Sequence, residues 1–97
     1  MEHFEWDENK REMNFKKHSI DFIDATHVFS DPCRIELQSD QKKEIRYKTI
    51  GMLCEGVIVI IIYTNRNLKR RLISARMASK KERELYTIIE AQNEREN

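Results

Sequence analysis

A run of seven apolar residues at positions 57–63 constrains the fold of this sequence more than any other feature. Both faces of an extended chain would be apolar here, which is typical of a central strand covered on both sides. The run is too short for a membrane-spanning helix, which needs about 20 apolar residues. Turn signals flank it, Glu55-Gly56 before and residues 65–67 after. The sequence therefore predicts a central strand joined to both neighbours by hairpins.

Periodicity and capping signals predict the other elements. We expect strands over 4–6, 33–38, 44–53, 57–64 and 68–76, a polar loop over 38–43, and helices over 8–17, 21–29 and 80–92. Asp7 should cap the first helix and Asp31-Pro32 should end the second. Ser79 and Glu82 fit a capping box that opens the third.

This succession of elements, β-α-α-β-β-β-β-α, predicts an α+β fold. It consists of a small antiparallel sheet with two N-terminal helices and one C-terminal helix. Residues 1–97 are expected to form a single domain, in which residues 93–97 fray.

The same patterns predict which side chains are buried. In the first helix the expected burials are Met13 and Phe15. In the second they are Phe22, Ala25, Thr26 and Phe29, and in the third Leu85, Ile88, Ile89 and Gln92. Strict alternation in strand 68–76 gives one face with Leu68, Arg70, Leu72, Ser74 and Arg76, and another with Lys69, Arg71, Ile73 and Ala75.

Charge is unevenly distributed along the chain, although the formal net charge is only +1. Residues 1–40 contain five basic and ten acidic side chains, whereas residues 41–97 contain 13 basic and seven acidic ones. Within 65–83, eight basic residues accompany a single acidic one, Glu82. Such asymmetry favours a polyanionic partner; a merely solvated strand edge and helix face is the competing interpretation.

The cysteines and the N-terminal residues bear on the cellular compartment. The first residues are acidic and polar, without the basic segment and apolar stretch of a secretory signal. Cys33 and Cys54 are not at a redox or zinc spacing, which favours reduced thiols. We therefore expect a cytoplasmic protein with no membrane partner.

Most motifs for metal or cofactor chemistry are missing from the sequence. His3, His18 and His27 are at no metal-ligand spacing, and no HExxH occurs. Glycine-rich phosphate loops and GxSxG are also missing, since the chain has only two glycines. The sequence predicts neither a metal site nor a cofactor.

The arginine cluster is the main chemical feature that remains. A guanidinium binds phosphate through two parallel hydrogen bonds and stays charged at any working pH. RNA cleavage needs only a base for the 2′-OH proton, cations for the phosphorane and an acid for the leaving 5′-oxygen. His18, at a helix end, is either such a group or a cap that complements the helix dipole.

Four aromatic side chains are candidates for stacking on bases. They are Trp6, Tyr47, Tyr63 and Tyr86. Trp6 and Tyr63 are more typical of core residues, whereas Tyr86 fits either interpretation.

Several segments together resemble the BrnT family of small bacterial toxins. The first part of the match comprises Phe4-Glu5-Trp6-Asp7, Lys10, Asn14, Lys17-His18, Phe22, Ala25, Val28-Phe29 and Asp31-Pro32. The second comprises residues 46–51, Val59 to Thr64 with Arg66, residues 71–79 and Glu82-Arg83. The resemblance covers about residues 4–86.

The resemblance implies a RelE-like fold and a toxin of a type II toxin–antitoxin system. Such toxins are ribonucleases that inhibit translation. A BrnA antitoxin neutralises them, and a complex of two toxins and two antitoxins binds operator DNA through the antitoxin's ribbon-helix-helix part. The expected partners are therefore RNA and a BrnA-type antitoxin. The competing interpretation is a module that binds RNA or a partner protein without cleaving.

The resemblance also implies site residues. Arg66 and Arg76 match arginines of the family's motifs and are expected to contact the phosphate or the transition state. Lys17-His18 matches a pair that can supply the base or the acid. Arg46 and Arg71 match further arginines, and the RNA-binding candidates together are Arg46, Lys48, Arg70, Arg71, Lys80 and Lys81.

Two positions depart from the family pattern. Ser19 stands where the family usually has glycine, so a turn there that needs positive φ would be strained. Asn67 also stands at a common glycine position, but asparagine tolerates that conformation well.

Overall fold

A computed structural model describes residues 3–41 and 44–96 of the chain. The strands are β1 (Phe4–Glu5), β2 (Ile35–Gln41), β3 (Glu44–Cys54), β4 (Val57–Arg66) and β5 (Lys69–Met77). The helices are α1 (Glu8–His18), α2 (Phe22–Ala25) and α3 (Lys80–Glu96), and a 3₁₀ turn (Thr26–Ser30) follows α2. This order confirms the predicted succession of elements and the α+β class.

The five strands form one sheet in the order β1-β5-β4-β3-β2. Strands β2 to β5 are antiparallel to their neighbours, as predicted. β1 pairs in parallel with β5, through Phe4 beside Arg70 and Glu5 beside Arg71, so the sheet is mixed. A parallel pair needs a long crossover rather than a tight turn, and the chain from α1 to β4 supplies it.

Each face of the sheet buries its own apolar cluster. The segment 20–29, which includes α2, covers one face, where the cluster consists of Ile20, Phe22, Ala25, Val28, Phe29, Val59, Ile61, Tyr63, Leu72 and Ala75. α3 packs near one end of the other face, where the cluster consists of Ile50, Ile58, Ile60, Ala78 and Tyr86 of α3 itself. β4 contributes to both clusters, which confirms the prediction of a central strand covered on both sides.

A β-bulge interrupts the regular pairing of β5 with β4. Ile62 pairs with Ser74, but the next residue of β4, Tyr63, pairs with Leu72. Ile73 is therefore one extra residue on β5. Since paired residues of antiparallel strands share a face, the bulge changes which side chains of β5 point to the same side.

The bulge makes the predicted strict alternation of residues 68–76 wrong. Leu72 and Ala75 are three positions apart, yet both are buried in the cluster beneath α2. Arg71 pairs with Thr64 and Arg76 pairs with Ile60, two β4 residues of the same parity. Arg71 and Arg76 therefore share one face of the sheet, and Arg70 lies on the opposite face.

α1 buries Asn14 and not the two apolar residues that were predicted. Met13 is 69% exposed and Phe15 is 48% exposed, whereas Asn14 is 9% exposed. The Asn14 amide donates to the carbonyls of Ile20 and Ala75, and its oxygen accepts from the N–H of Ala75. These bonds are needed because β1 pairs with β5 only farther along, which leaves this part of the β5 edge open.

Local capping signals are confirmed. Asp7 accepts from the N–H groups of Asn9 and Lys10 at the start of α1. Ser79 Oγ accepts from the N–H of Glu82, and the Glu82 carboxylate accepts from the N–H of Ser79, as a capping box requires.

The expected left-handed conformations occur at Ser19, which ends α1 with φ 60°, and at Asn67, with φ 53°. Leu68, the second residue of the β4–β5 turn, also has a positive φ of 65° and is fully exposed. Two successive left-handed residues suit the twist of a tight hairpin, but leucine is an unfavourable residue for that conformation.

Several element boundaries differ from the prediction. The predicted helix 21–29 is α2 followed by the 3₁₀ turn, and Thr26 is only half-buried. β2 continues to Gln41, so most of the predicted loop 38–43 is strand, and Lys42 and Lys43 lie outside the described residues. α3 continues to Glu96, beyond residue 92. In the described part of the chain, no helix is long and apolar enough to span a membrane.

α3 turns Tyr86 inward, whereas two residues of the predicted inner stripe, Leu85 and Ile88, are 40% and 54% exposed. The Tyr86 hydroxyl donates to Asp31 at 2.7 Å. Asp31 also accepts from the N–H groups of Cys33 and Met52, both at 2.8 Å. The Asp31 carboxylate thus joins α3 to β3 and to the turn before β2. Burial of the Tyr86 hydroxyl raises its pKa above the ordinary value.

Candidate nucleic-acid interface

Among the described residues, six basic side chains lie on one face of the sheet, which we call the cationic face. They are Arg46 and Lys48 of β3, Arg66 of β4, and Lys69, Arg71 and Arg76 of β5. Their positions follow from the pairing: Lys48 is opposite Ile62, and Arg76 is opposite Ile60, on the face where α3 packs. The bulge at Ile73 is what brings Arg71 and Arg76 to the same side.

Carboxylates hold all four arginines of this face. Arg71 Nη1 donates to Glu5 of β1 at 2.8 Å. Arg46 Nε donates to Glu44 at 3.3 Å, and Arg66 lies 3.7 Å from the same carboxylate. All of these side chains remain partly exposed, so the pairs are open to solvent and to a competing anion.

Arg76 has the most complete set of contacts on the cationic face. Its Nη1 and Nη2 atoms donate to the two oxygens of Glu82 at 2.9 and 3.1 Å, and Nη1 also donates to the carbonyl of Met77. The hydrogen bonds from Arg76 lower the pKa of Glu82 to about 2 from its ordinary 4.5. Glu82 is therefore ionised at any physiological pH, and it serves the capping box and Arg76 at once.

Four lysines add positive charge at or near this surface. Lys48 and Lys69 lie on the cationic face, and Lys80 and Lys81 begin α3, next to the chain segment that carries Arg76. Among residues 3–41 and 44–96, none of these lysines has a carboxylate within ion-pair distance. They give the surface an excess of positive charge over its carboxylates.

Arg70, predicted as an RNA-binding residue, lies on the opposite face. Its guanidinium lies over the ring of Phe29, 4.4 Å from the centroid, and near the ring of Tyr63. Tyr63 is 2% exposed, and its hydroxyl donates to Glu36. Burial and that hydrogen bond raise the pKa of Tyr63. This group packs the sheet against the 3₁₀ turn and is separate from the cationic face.

The four predicted catalytic residues do not form one cluster. Arg66 ends β4, whereas Arg76 is opposite Ile60, six residues earlier on that strand, so the two lie about 20 Å apart along the sheet. Lys17 and His18 follow Asn14 by three and four positions and share its side of α1. Since Asn14 contacts Ala75, this pair lies near the Arg76 end of the sheet. Lys17 is exposed and His18 is half-buried.

None of the four aromatic candidates is exposed on the cationic face. Tyr47 stacks on Tyr63 at 5.3 Å, on the face covered by α2. Trp6 packs on Phe22, and its Nε1–H donates to Glu8. Tyr86, a residue of α3, is buried against the sheet in the cluster with Ile50 and Ile60. These contacts favour the interpretation of the aromatic residues as packing residues.

The residues with metal-ligating chemistry are dispersed. In the described ranges, no three His, Cys, Asp or Glu side chains lie close enough together to hold a metal ion. His3 and His27 are exposed, and both cysteines are free thiols.

Glu5, Glu44 and Glu82 contact the cationic arginines and were not predicted as site residues. The parallel pairing of β1 with β5 brings Glu5 to Arg71 from 66 positions away, which no local pattern indicates. The capping box, in contrast, located Glu82 correctly, and its spacing from Arg76 was visible in the sequence.

Comparisons with known proteins agree with the fold. The family model described as "Ribonuclease toxin, BrnT, of type II toxin-antitoxin system" matches residues 6–82. The crystal structure of the Brucella abortus ribonuclease toxin BrnT is similar, with 28% sequence identity and a TM-score of 0.64 over 82% of this chain and 100% of that one. No curated protein matches. A family match over most of the chain, together with the shared fold, shows that this chain belongs to the BrnT family of ribonuclease toxins of type II toxin–antitoxin systems.

Proposed function

We propose that the chain is a metal-independent endoribonuclease toxin that acts in the cytoplasm, where it cleaves RNA and thereby inhibits translation. The observation that carries this proposal is the cationic face. Arg46, Lys48, Arg66, Arg71 and Arg76 form one surface suited to a polyanion, and Lys17 and His18 lie near its Arg76 end.

The proposed reaction uses side chains alone. Lys17 or His18 takes the proton of the 2′-OH, whose oxygen attacks the adjacent phosphorus, and the 5′-oxygen leaves with a proton from the other group. Arg76 stabilises the charge of the phosphorane, because its guanidinium is fixed in place before the reaction. The products are a 2′,3′-cyclic phosphate and a free 5′-hydroxyl.

The rest of the cationic face binds the RNA backbone in this proposal. Lys48, Arg46, Arg71, Lys80 and Lys81 contact phosphates near the cleaved bond. Arg66, about 20 Å from Arg76, is too distant for the same phosphate and binds another one along the strand.

The antitoxin in this proposal is a BrnA-type protein. It forms a complex of two toxins and two antitoxins, which binds operator DNA through the antitoxin. An antitoxin that covers the cationic face would exclude RNA by occupying the same cations, so neutralisation and RNA binding should compete. To test this, the toxin is purified with and without the antitoxin, and RNA cleavage by each of the two preparations is measured.

A pair of arginine variants tests the activity. Expression of the wild type should arrest growth, and the purified protein should cleave single-stranded RNA in the presence of EDTA. Arg76→Ala should lower cleavage by about 100-fold, the effect of losing a group that stabilises transition-state charge. Arg95→Ala, a charge-matched control at the other end of α3, should cleave like the wild type.

The outcome that contradicts the proposal is also specific. RNA that stays intact, combined with tight and steeply salt-dependent binding, would assign the chain to the non-cleaving modules. Cleavage that EDTA abolishes would refute metal independence.

A further inference from the structure

The contact with Glu82 occupies one edge of the Arg76 guanidinium and leaves another edge, which we call the open edge, without a hydrogen bond to the residues that the structure describes. A guanidinium has five N–H donors. Three of those of Arg76 are engaged: two from Nη1, to Glu82 and the Met77 carbonyl, and one from Nη2 to Glu82. Within the described part of the chain, Nε–H and the second Nη2–H have no acceptor. These two donors are parallel and point the same way, which is the geometry that two phosphate oxygens require.

The open edge is accessible to solvent. The Arg76 side chain is 35% exposed, and no polar side-chain atom in the described residues is both buried and without a partner. Nε, which has no partner in the described residues, is therefore not buried, and the open edge lies on the cationic face that carries Arg71 and Lys48.

The carboxylate of Glu82 is itself held in place by the backbone. Its Oε1 accepts from the N–H of Ser79 at 2.7 Å, a bond that does not involve the Ser79 hydroxyl, which accepts instead from the backbone N–H of Glu82 at 3.2 Å. The first turn of α3 thus fixes the carboxylate, and the carboxylate fixes the guanidinium. A freely rotating arginine would lose more conformational entropy when it binds phosphate.

We propose that Glu82 is a positioning residue for RNA cleavage: it holds the far edge of Arg76 so that the Nε–Nη2 edge is presented to the scissile phosphate. This rests on the proposed function. In this arrangement the substrate does not displace Glu82, and a carboxylate, a guanidinium and a phosphate lie in a row. The Glu82 carboxylate lowers the net positive charge of the site, but it fixes the orientation of the Arg76 guanidinium.

The test compares Glu82→Gln with Ser79→Ala by steady-state cleavage of a single-stranded RNA oligonucleotide. Glutamine also functions in capping boxes, so α3 should keep its start. Its amide nitrogen, however, is a donor and faces the Nη2 donor of Arg76, so the paired contact is lost. The expected result is a kcat lowered about tenfold with KM nearly unchanged, because the lost contact acts in the transition state.

Ser79→Ala provides the structural control. It removes the hydroxyl of the capping box but keeps the N–H that bonds Glu82. The melting temperature should fall by about 4–8 °C, whereas kcat at 25 °C should stay at the wild-type value. If Glu82 acted only as a capping residue, Glu82→Gln would leave kcat at the wild-type value, as Ser79→Ala does.

Other outcomes overturn the inference. If Glu82→Gln keeps the wild-type kcat, Glu82 does not position Arg76. If the variant has a lower KM and an undiminished kcat, Glu82 merely competes with RNA for Arg76. Wild-type protein that leaves RNA intact would overturn the proposed function, and this inference with it. The first pair of results leaves wild-type cleavage in place, so the two failures are distinguishable.

Discussion

The side-chain amide of Asn14 completes the outer edge of β5 by bonding both polar backbone groups of Ala75. Its nitrogen donates to the Ala75 carbonyl at 2.9 Å, and its oxygen accepts from the Ala75 N–H at 3.1 Å. The amide replaces a neighbouring strand at a point that β1 does not reach. It also closes an edge that could otherwise pair with another chain.

Asn14→Ala should therefore lower the free energy of unfolding by about 2–3 kcal/mol, since it leaves buried backbone groups without partners. Urea denaturation followed by circular dichroism measures this. Asn9→Ala, at an exposed position of the same helix, should change stability by less than about 0.5 kcal/mol. Equal effects of the two substitutions would show that the Ala75 contacts contribute nothing.

Glycine substitutions should stabilise the chain at its left-handed residues. Ser19→Gly should raise the free energy of unfolding by about 1 kcal/mol, because a side chain at φ 60° is strained. Leu68→Gly should gain at least as much, since Leu68 is fully exposed and loses no packing. Asn67→Gly should gain least, because asparagine tolerates this conformation. Thermal melting of the three variants gives the order directly, and a destabilised Leu68→Gly would contradict it.

The Asp31 carboxylate should be more important to stability than any single group it binds. Tyr86→Phe removes one hydrogen bond and should cost about 1 kcal/mol. Asp31→Ala leaves the Tyr86 hydroxyl and two backbone N–H groups without their acceptor, and should cost about 3 kcal/mol. Asp24→Ala, an exposed acidic residue in α2, is the matched control and should have little effect. Chemical denaturation of all three proteins at pH 7 measures these differences.

Stability should fall at acid pH partly through Glu82. Its pKa is about 2 in the folded chain and near 4.5 when unfolded, so its contribution is present above about pH 5 and is lost as pH falls toward 2. Glu82→Gln should flatten the stability curve in that window. Some slope should remain, because Arg11 also lowers the pKa of Asp21. Parallel curves for wild type and variant would show that the Arg76 contact does not favour the ionised form.

RNA binding should depend on the positive charges of the cationic face and not on the total charge of the chain. Lys48→Ser should weaken binding of a non-cleavable 2′-O-methyl RNA and lower the salt slope by about 0.7, the value for one lost phosphate contact on a single strand. Lys16→Ser carries the same charge change on exposed α1 and should leave the slope unchanged. Fluorescence anisotropy at several salt concentrations measures both slopes.

Local signals allowed the helix starts and turns to be predicted, because each depends on residues a few positions apart. Asp7, Ser79 with Glu82, and Gly56 with φ 79° all act within their own turn. Burial was harder to predict from the sequence. The burial of Asn14 depends on Ala75, 61 positions away, and that of Tyr86 depends on Asp31, 55 positions away.

The candidate site was predictable as a set of residues but not as an arrangement. The cationic stretch and its arginines could be identified from composition and from the family motifs. Their distribution between the two faces could not, because periodicity assumes an unbroken strand and Ile73 breaks it. The partner of Arg71, Glu5, also required the sheet order to be known.

The bulge at Ile73 has a consequence for sequence variation in this chain. A deletion of that one residue would remove no charge from the chain. Without Ile73 the spacing from Arg71 to Arg76 would be four positions, so regular alternation would keep these two arginines on one face and Arg70 on the other. Loss of toxicity by such a deletion would therefore have to come from altered packing or local strand geometry, and not from a changed distribution of charge between the two faces.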